Sequence, residues 1–209
     1  MTNRTLVVSI DALITADIPV LKQLPNLGRV MEHASWITDI ECIYPTLTYP
    51  CHATIATGCW PDRTGINNNE IPDFFAKGRM DWYWWREAIQ VPTVVDFARQ
   101  AGLTASTVTW PVMCASGAEY NIGEIWAPRE EDDPTPWFTR ANSPAVAKIF
   151  EANKHMLRWM KTPQMDEFAA KCAADIIRAH RPDLMLLHLS YVDHQRHRLG
   201  VHGDLEHAF

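Results

Sequence analysis

Short apolar runs that stop at a polar residue recur along this chain, and stretches of helical periodicity separate them. Leu6 to Ile10 is a continuous apolar, β-branched run ending at Asp11, which predicts a buried strand presenting a carboxylate at its carboxyl end. Residues 26–34 place Leu27, Val30 and Met31 at helical spacing, with Asn26, after Pro25, as a candidate N-cap. A second strand is expected over Ile37 to Tyr44. It leads into PTLTYPCHATIATG, where Pro50 suits the first turn of a helix because its missing N–H would have no intrahelical partner there. Gly58 marks the stop of that helix, and Thr48 falls at or just before its N-terminus.

From Pro61 to Asn69 the residues are those of a loop. Phe74 to Trp85 is aromatic, with Trp82, Tyr83, Trp84 and Trp85 together. It suits a hydrophobic plug somewhat better than a cleft wall, since large aromatics usually serve packing. Thr93 to Gln100 predicts a helix with Val94, Val95 and Ala98 inward, closed by Gly102, and Leu103 to Trp110 a strand. Residues 115–145, rich in Gly, Pro, Glu and Asp and containing the acidic run Glu130 to Asp133, read as an excursion from the core.

Met165, Phe168, Ala169, Cys172, Ala173, Ile176 and Ile177 give one apolar face to a helix over about 164–180. Arg181-Pro182-Asp183 ends it, Leu184 to Leu189 is a buried parallel strand, and Tyr-Val-Asp-His-Gln-Arg-His follows at once. Leu205, Ala208 and Phe209 share helical spacing, so the chain is expected to end inside a helix. The alternation predicts an α/β fold, an open and mostly parallel sheet with helices on both faces and ligands at the carboxyl ends of its strands.

Composition sharpens this picture. A chain of 209 residues that is 47% hydrophobic, with 9 Trp and 8 Met, can bury one large core. With 19 Lys and Arg against 25 Asp and Glu, its formal charge of -6 offers no long-range attraction to nucleic acid or anionic membrane, so stable nucleic-acid binding is not expected. A phosphate-bearing ligand would need a local positive feature, of which a metal cluster is the strongest. The N-terminus lacks the h-region of a signal peptide, and no run nears the roughly 18 to 20 apolar residues of a membrane helix. A cytoplasmic chain is expected. Five cysteines, at 42, 51, 59, 114 and 172, form no CxxC pair, and free buried thiols in a reducing compartment are the expected state.

Several residues could carry chemistry. Asp193 and His197, four positions apart, can reach a common point on one helical turn, and a carboxylate with an imidazole suits zinc or a similar ion. A local hydrogen bond on a surface turn explains the spacing equally well. Asp11 at a strand exit either caps the next turn or binds metal. Thr48 is a poor nucleophile as a free hydroxyl, but a divalent cation and a helix N-terminus can stabilise its alkoxide; a plain cap is the other reading. Asn67, Asn68 and Asn69 could donate to a phosphoryl oxygen or simply make a turn.

As an ordered set, VVSIDAL, LPNLGRVMEHA, YPTLTYPCHATIATGCWPDRTGINNNE and YVDHQRHRLG resemble the type I phosphodiesterase/nucleotide pyrophosphatase family of the alkaline phosphatase superfamily. The resemblance implies an alkaline-phosphatase-like sheet and two divalent metal ions, zinc being the first choice. Asp11 would be a ligand of the ion that also binds Thr48, Thr48 the nucleophile, Asn69 the amide on a phosphoryl oxygen, and Asp193 and His197 ligands of the second ion. The implied activity is metal-dependent hydrolysis of phosphodiester or nucleotide pyrophosphate bonds in a small phosphate-ester or nucleotide substrate. Phosphomonoester or phosphonate hydrolysis, and an inactive metal- or partner-binding domain, are the alternatives.

The family also places an Asp-His pair and a further His downstream of this region, and neither His202 nor His207 has the matching context. The expectation is therefore that residues 1–209 form the N-terminal portion of a single catalytic domain, with an incomplete sheet. Each ion would be left with two protein ligands here, below the three or more of a catalytic zinc site.

Overall fold

The computed structural model of the protein describes residues 4–72, 81–127, 129, 132–157 and 163–203. Its strands are β1 (Thr5–Ile10), β2 (Ala105–Val108), β3 (Tyr120–Ile122) and β4 (Leu184–Leu189). Among the described residues these form a four-stranded sheet of order β1-β4-β2-β3, with every pairing parallel. The helices, in chain order, are α1 (Ile18–Leu21), α2 (Pro25–Met31), α3 (Thr48–Thr57), α4 (Pro61–Thr64), α5 (Val94–Gln100), α6 (Thr135–Ala141), α7 (Ala147–Asn153), α8 (Gln164–His180) and α9 (Tyr191–Leu199).

The two-residue period of a strand sorts the helices onto two faces. On β4, Met185 and Leu187 join Phe138, Phe150, Phe168, Cys172 and Ile176, the core under α6, α7 and α8. Leu184 and Leu186 point the other way, to Tyr49, Ala53, Val95, Ala98 and Trp110, the core under α3 and α5. β4 thus has a helical layer on each side, as its apolar run, interrupted by His188 alone, predicts. The helix expected over about 164–180 coincides with α8, and Thr93 caps α5 by accepting the Asp96 N–H while Asp96 accepts the Thr93 N–H. Asp96 also accepts a 2.6 Å hydrogen bond from Arg86, so α5 is pinned at its start. No described helix is long and apolar enough to cross a membrane.

Four expectations are corrected. β1 forms where expected but is an edge strand among the described residues, and Leu6 (51% exposed) and Val8 (45%) face outward instead of being buried. The strand expected over Ile37 to Tyr44 does not form. No described strand lies beside it to take its backbone hydrogen bonds, and Ile37 and Ile40 are 79% and 73% exposed. Asn26 does not cap α2, because Pro25 takes the first helical position and Leu24 becomes the cap. Residues 115–145 are not peripheral: they supply β3 and the buried Ile122, Ile125, Phe138 and Ala141. Phe74 to Met80, the Glu130–Glu131 half of the acidic run, and Leu205, His207, Ala208 and Phe209 lie outside the described residues.

Candidate active site

Because the strands are parallel, their carboxyl ends open on one side, where ligands of such sheets bind. Asp11 follows β1, Thr109 follows β2, Glu124 lies two residues beyond β3, and Ser190 and Asp193 follow β4. A cleft of about 170 Å³ there is lined by residues that include Asp11, Thr48, Tyr49, Glu124, His188 and Asp193. Cavities of about 540 and 560 Å³ lie elsewhere, one beside Leu6 and the end of α8, the other beside β3, and neither contains a candidate residue.

Thr48 opens α3, with Leu47 before it in extended conformation as the cap and Gly58 (φ 67°) ending the helix in the left-handed region. The Thr48 hydroxyl donates to Asp11 Oδ2 at 3.1 Å, and Asp11 Oδ1 accepts the Ala12 N–H at 3.0 Å. Burial alone would push the Asp11 carboxyl up, but His188, His52 and Thr48 together hold it below the usual range.

The backbone donors at the start of α3 are mostly taken. Pro50 has none, the Cys51 N–H bonds to the Leu47 carbonyl at 3.0 Å, and the Tyr49 N–H donates to Asn69 Oδ1 at 2.9 Å. That bond leaves Nδ2 as the donor end of the Asn69 amide. The Asn69 N–H is itself fixed by Asn68 Oδ1 at 2.8 Å, while Asn67 is exposed.

Asp193 sits in the first turn of α9, and its carboxyl is pushed up by burial and by Asp11. His197 Nε2 lies 3.5 Å from Asp193 Oδ2, but its side chain is 79% exposed. The structure therefore brings Asp11, Thr48 and Asp193 to one cleft, joins Asn69 to it through Tyr49, and leaves His197 a turn away in solvent. His194 lines the cleft in its place.

Sequence reasoning missed the floor of the site. His188, at the end of β4, is 2% exposed, with Nδ1 3.1 Å from the Thr109 carbonyl. It lies between carboxylates, Nε2 3.5 Å from Asp11 Oδ2 and Nδ1 3.7 Å from Glu124 Oε1. Burial opposes its protonation, but the flanking acids raise it above the ordinary histidine value. His52 packs edge-on to His188 at 4.5 Å, with Nδ1 2.7 Å from the Thr48 carbonyl and Nε2 2.9 Å from Ser9 Oγ. Burial and the neighbouring His188 push His52 down to about 4. A neutral ring donating from Nδ1 and accepting from Ser9 satisfies both contacts. Glu124 is enclosed, and burial pushes it up to about 7.

The donor set tests whether divalent ions would fit. His188 Nε2 faces Asp11 Oδ2 at 3.5 Å and the enclosed Tyr49 hydroxyl faces Glu124, so these buried polar groups complete one another only loosely and leave room for a charged group. Asp11 with Thr48, and Asp193 with His197, offer oxygen and nitrogen donors suited to zinc. Among the described residues, however, no three His, Cys, Asp or Glu side chains converge as a metal-binding group. The fit is that of two half-sites.

Comparison with known proteins gives the family and the fold. The model of the type I phosphodiesterase/nucleotide pyrophosphatase family matches residues 5–208, and the chain belongs to that family. It is 26% identical to venom phosphodiesterase 2 of Crotalus adamanteus over 193 residues, covering 87% of this chain and 20% of that protein. In fold it is similar to phosphonoacetate hydrolase from Sinorhizobium meliloti 1021, solved with phosphonoacetate (TM-score 0.62, 18% identity, 92% of this chain and 48% of that one). It is also similar to murine ectonucleotide pyrophosphatase/phosphodiesterase 5 (TM-score 0.58, 18% identity, 98% and 48%). The chain spans about a fifth of the length of that curated relative and about half of each solved chain. The expected α/β fold with alkaline-phosphatase-like relatives is thus the fold observed.

Proposed function

We propose that the chain carries the nucleophile side of a phosphodiester or nucleotide pyrophosphate hydrolase, with Thr48 as nucleophile. The observation that supports this best is the Thr48 hydroxyl at the start of α3, 3.1 Å from the mostly buried Asp11 carboxylate at the exit of β1. A small phosphate ester or nucleotide would bind with phosphorus facing Thr48 Oγ1. As its proton leaves, the oxygen attacks phosphorus in line, the bond to the leaving oxygen breaks with its electron pair, that oxygen takes up the proton, and a phosphoryl-threonine results. Water then attacks phosphorus, releasing the product and restoring Thr48.

Asp11 orients the hydroxyl by accepting its hydrogen bond. Asn69, anchored through Oδ1 to the Tyr49 N–H, donates from Nδ2 to a non-bridging phosphoryl oxygen. With the Tyr49 N–H occupied and Pro50 lacking one, the field of the helix stabilises the incoming anion more than its free N–H groups do. Asp11 and Thr48 would hold one divalent ion, Asp193 and His197 a second, and His197 would turn inward to do so. When bound, such ions, zinc first, supply the positive charge that stabilises the threonine alkoxide and the charge developing on phosphoryl oxygens.

A second reading, hydrolysis of a phosphomonoester or phosphonate, draws support from the cleft. Its volume of about 170 Å³ is below the ~300–1,000 Å³ of most small-molecule pockets. Hydrolysis of bis(p-nitrophenyl) phosphate and p-nitrophenyl phosphate by the zinc-loaded chain separates the readings by their ratio. Thr48→Ala is expected to lower turnover of the preferred ester at least about 1,000-fold while leaving zinc stoichiometry measurable. Turnover that survives Thr48→Ala would remove the nucleophile assignment, and bound zinc without turnover of either ester would favour a metal-binding domain.

A further inference from the structure

Cys42 and Cys51 are nine positions apart in sequence, yet their sulfurs lie 3.4 Å apart. Cys42 is exposed and Cys51 half-buried, whereas Cys114 and Cys172 are buried. Cys42 lies in the segment that forms no helix or strand, and Cys51 lies in the opening turn of α3. We infer that Cys42 and Cys51 are an oxidative modification site, forming an intramolecular disulfide by exchange with a small disulfide compound and so closing a ring that contains Thr48. The pair adjoins the turn in which the Tyr49 N–H holds Asn69, but thiol–disulfide exchange there is independent of the hydrolase reading.

The exchange balances without any other oxidant. The Cys42 thiolate attacks one sulfur of the donor, whose S–S bond breaks to release one thiolate and leave a mixed disulfide on Cys42. The Cys51 thiolate attacks the Cys42 sulfur and expels the second donor thiolate. The two protons from the cysteines end on the two released thiols: the donor is reduced to two thiols and the cysteines are oxidised to one disulfide. Burial and the Cys42 thiol push Cys51 up to about 12. The more accessible Cys42 is therefore placed to react first, with Cys51 the resolving thiol.

The sulfurs must close from 3.4 Å to a bond length of about 2.05 Å. The irregular segment around Cys42 can absorb that shift more easily than the helix that holds Cys51. Between the two cysteines the chain contains the Thr46 hydroxyl bond to the Ile43 carbonyl at 2.9 Å, the cap residue Leu47, and Thr48 itself. Ring closure would limit the unfolded chain and the approach to α3 together, holding the Thr48 backbone more tightly.

The test oxidises the folded chain with oxidised glutathione, alkylates the remaining thiols with N-ethylmaleimide, and maps the peptides by mass. The expected product has a Cys42–Cys51 linkage and three alkylated thiols of the chain's five. Its Tm should rise by about 5–10 °C, the effect of closing so short a ring in a domain of this size. Dithiothreitol should reverse the rise, and Cys42→Ser, at an exposed position, should fold and show none. Cys51→Ser provides a second control lacking the resolving thiol. Cys42 and Cys51 each alkylated, or each carrying glutathione after equilibration, would overturn the site. A linked pair with an unchanged Tm would overturn the constraint on α3.

Discussion

Arg196 on α9 is ion-paired with Asp17 at 2.5 Å, across 179 positions of sequence, and both residues are only 8% exposed. The same guanidinium donates from Nε to the Ala12 carbonyl at 2.8 Å and also reaches the Val201 carbonyl. It thereby fastens the helix bearing Asp193 to the turn that follows Asp11. Arg196→Ala should destabilise the fold by roughly 3–5 kcal/mol, because Asp17 would be left charged, enclosed and unpaired. Urea unfolding of Arg196→Ala and of the double variant Asp17→Asn/Arg196→Met checks this. The double variant should be the more stable, and the reverse order would show that the guanidinium acts by packing alone.

Asp166, in the first turn of α8, caps another helix. Its Oδ1 accepts the Ser190 N–H at 3.0 Å and the Ser190 hydroxyl at 3.2 Å, and its Oδ2 accepts the Tyr191 N–H at 2.9 Å. A carboxylate on these N-terminal donors satisfies them and suits the positive end of α9. Asp166→Ala should cost about 1–2 kcal/mol in thermal unfolding and speed amide exchange in the first turn of α9. Unchanged exchange there would show that Asp193 is held by other contacts.

Glu124 gives the fold a pH dependence of defined sign. Its folded value of about 7 lies above the ordinary 4.5, so the folded state binds the extra proton between those limits. This contribution is fully present below about 4.5 and lost as pH rises through about 7. His52 has the opposite slope: its folded value of about 4 lies below 6.5, so its contribution is present above about 6.5 and lost as pH falls through about 4. The two partly cancel in the native chain. Glu124→Gln removes one of them, so its stability relative to the native chain should improve from pH 4.5 to 7, by about 3 kcal/mol over the window. Denaturant titrations at pH 5 and pH 8 decide it; a difference that does not change with pH would mean Glu124 is ionised throughout.

Phe168 is fully buried on the α8 face, packed against Phe138 and Phe150 with centroids 5.9 and 6.2 Å away. Phe168→Ala should cost roughly 3–5 kcal/mol through the cavity it leaves. Its Thr48 environment, on the other face of the sheet, should be retained in near-native conditions. Chemical denaturation gives the first quantity, and the apparent zinc affinity of the folded fraction checks the second.

The sequence was most legible where one pattern dominated a whole element. α8 repeats its apolar residues at three and four over its full length, and β4 is apolar except for His188, so both were located closely. Motif order placed Thr48 and Asp193 in the opening turns of helices, Asp193 directly after a strand. Ile37 to Tyr44 has the apolar content of a strand, but strand formation depends on a neighbouring edge, and among the described residues none lies beside it. Glu124 and His188 escaped notice for a different reason. Each is a single polar residue in apolar company, and its part in the site comes from β2, β3 and β4 lying side by side, which no local pattern records. His197 shows the limit of spacing: the four-residue interval does place it beside Asp193, but the interval does not fix which way the ring faces.

β1 carries Asp11 and, among the described residues, is paired on one side only, through six registered positions with β4, whereas β4 is flanked by β1 and β2. Opening the β1 ladder is therefore a cheaper excursion than opening β4. In such an excursion Asp11 would travel with β1, and the Arg196 bond to the Ala12 carbonyl would have to break or draw α9 and Asp193 along with it. The spacing of the two carboxylates is therefore held by that single guanidinium as much as by the sheet.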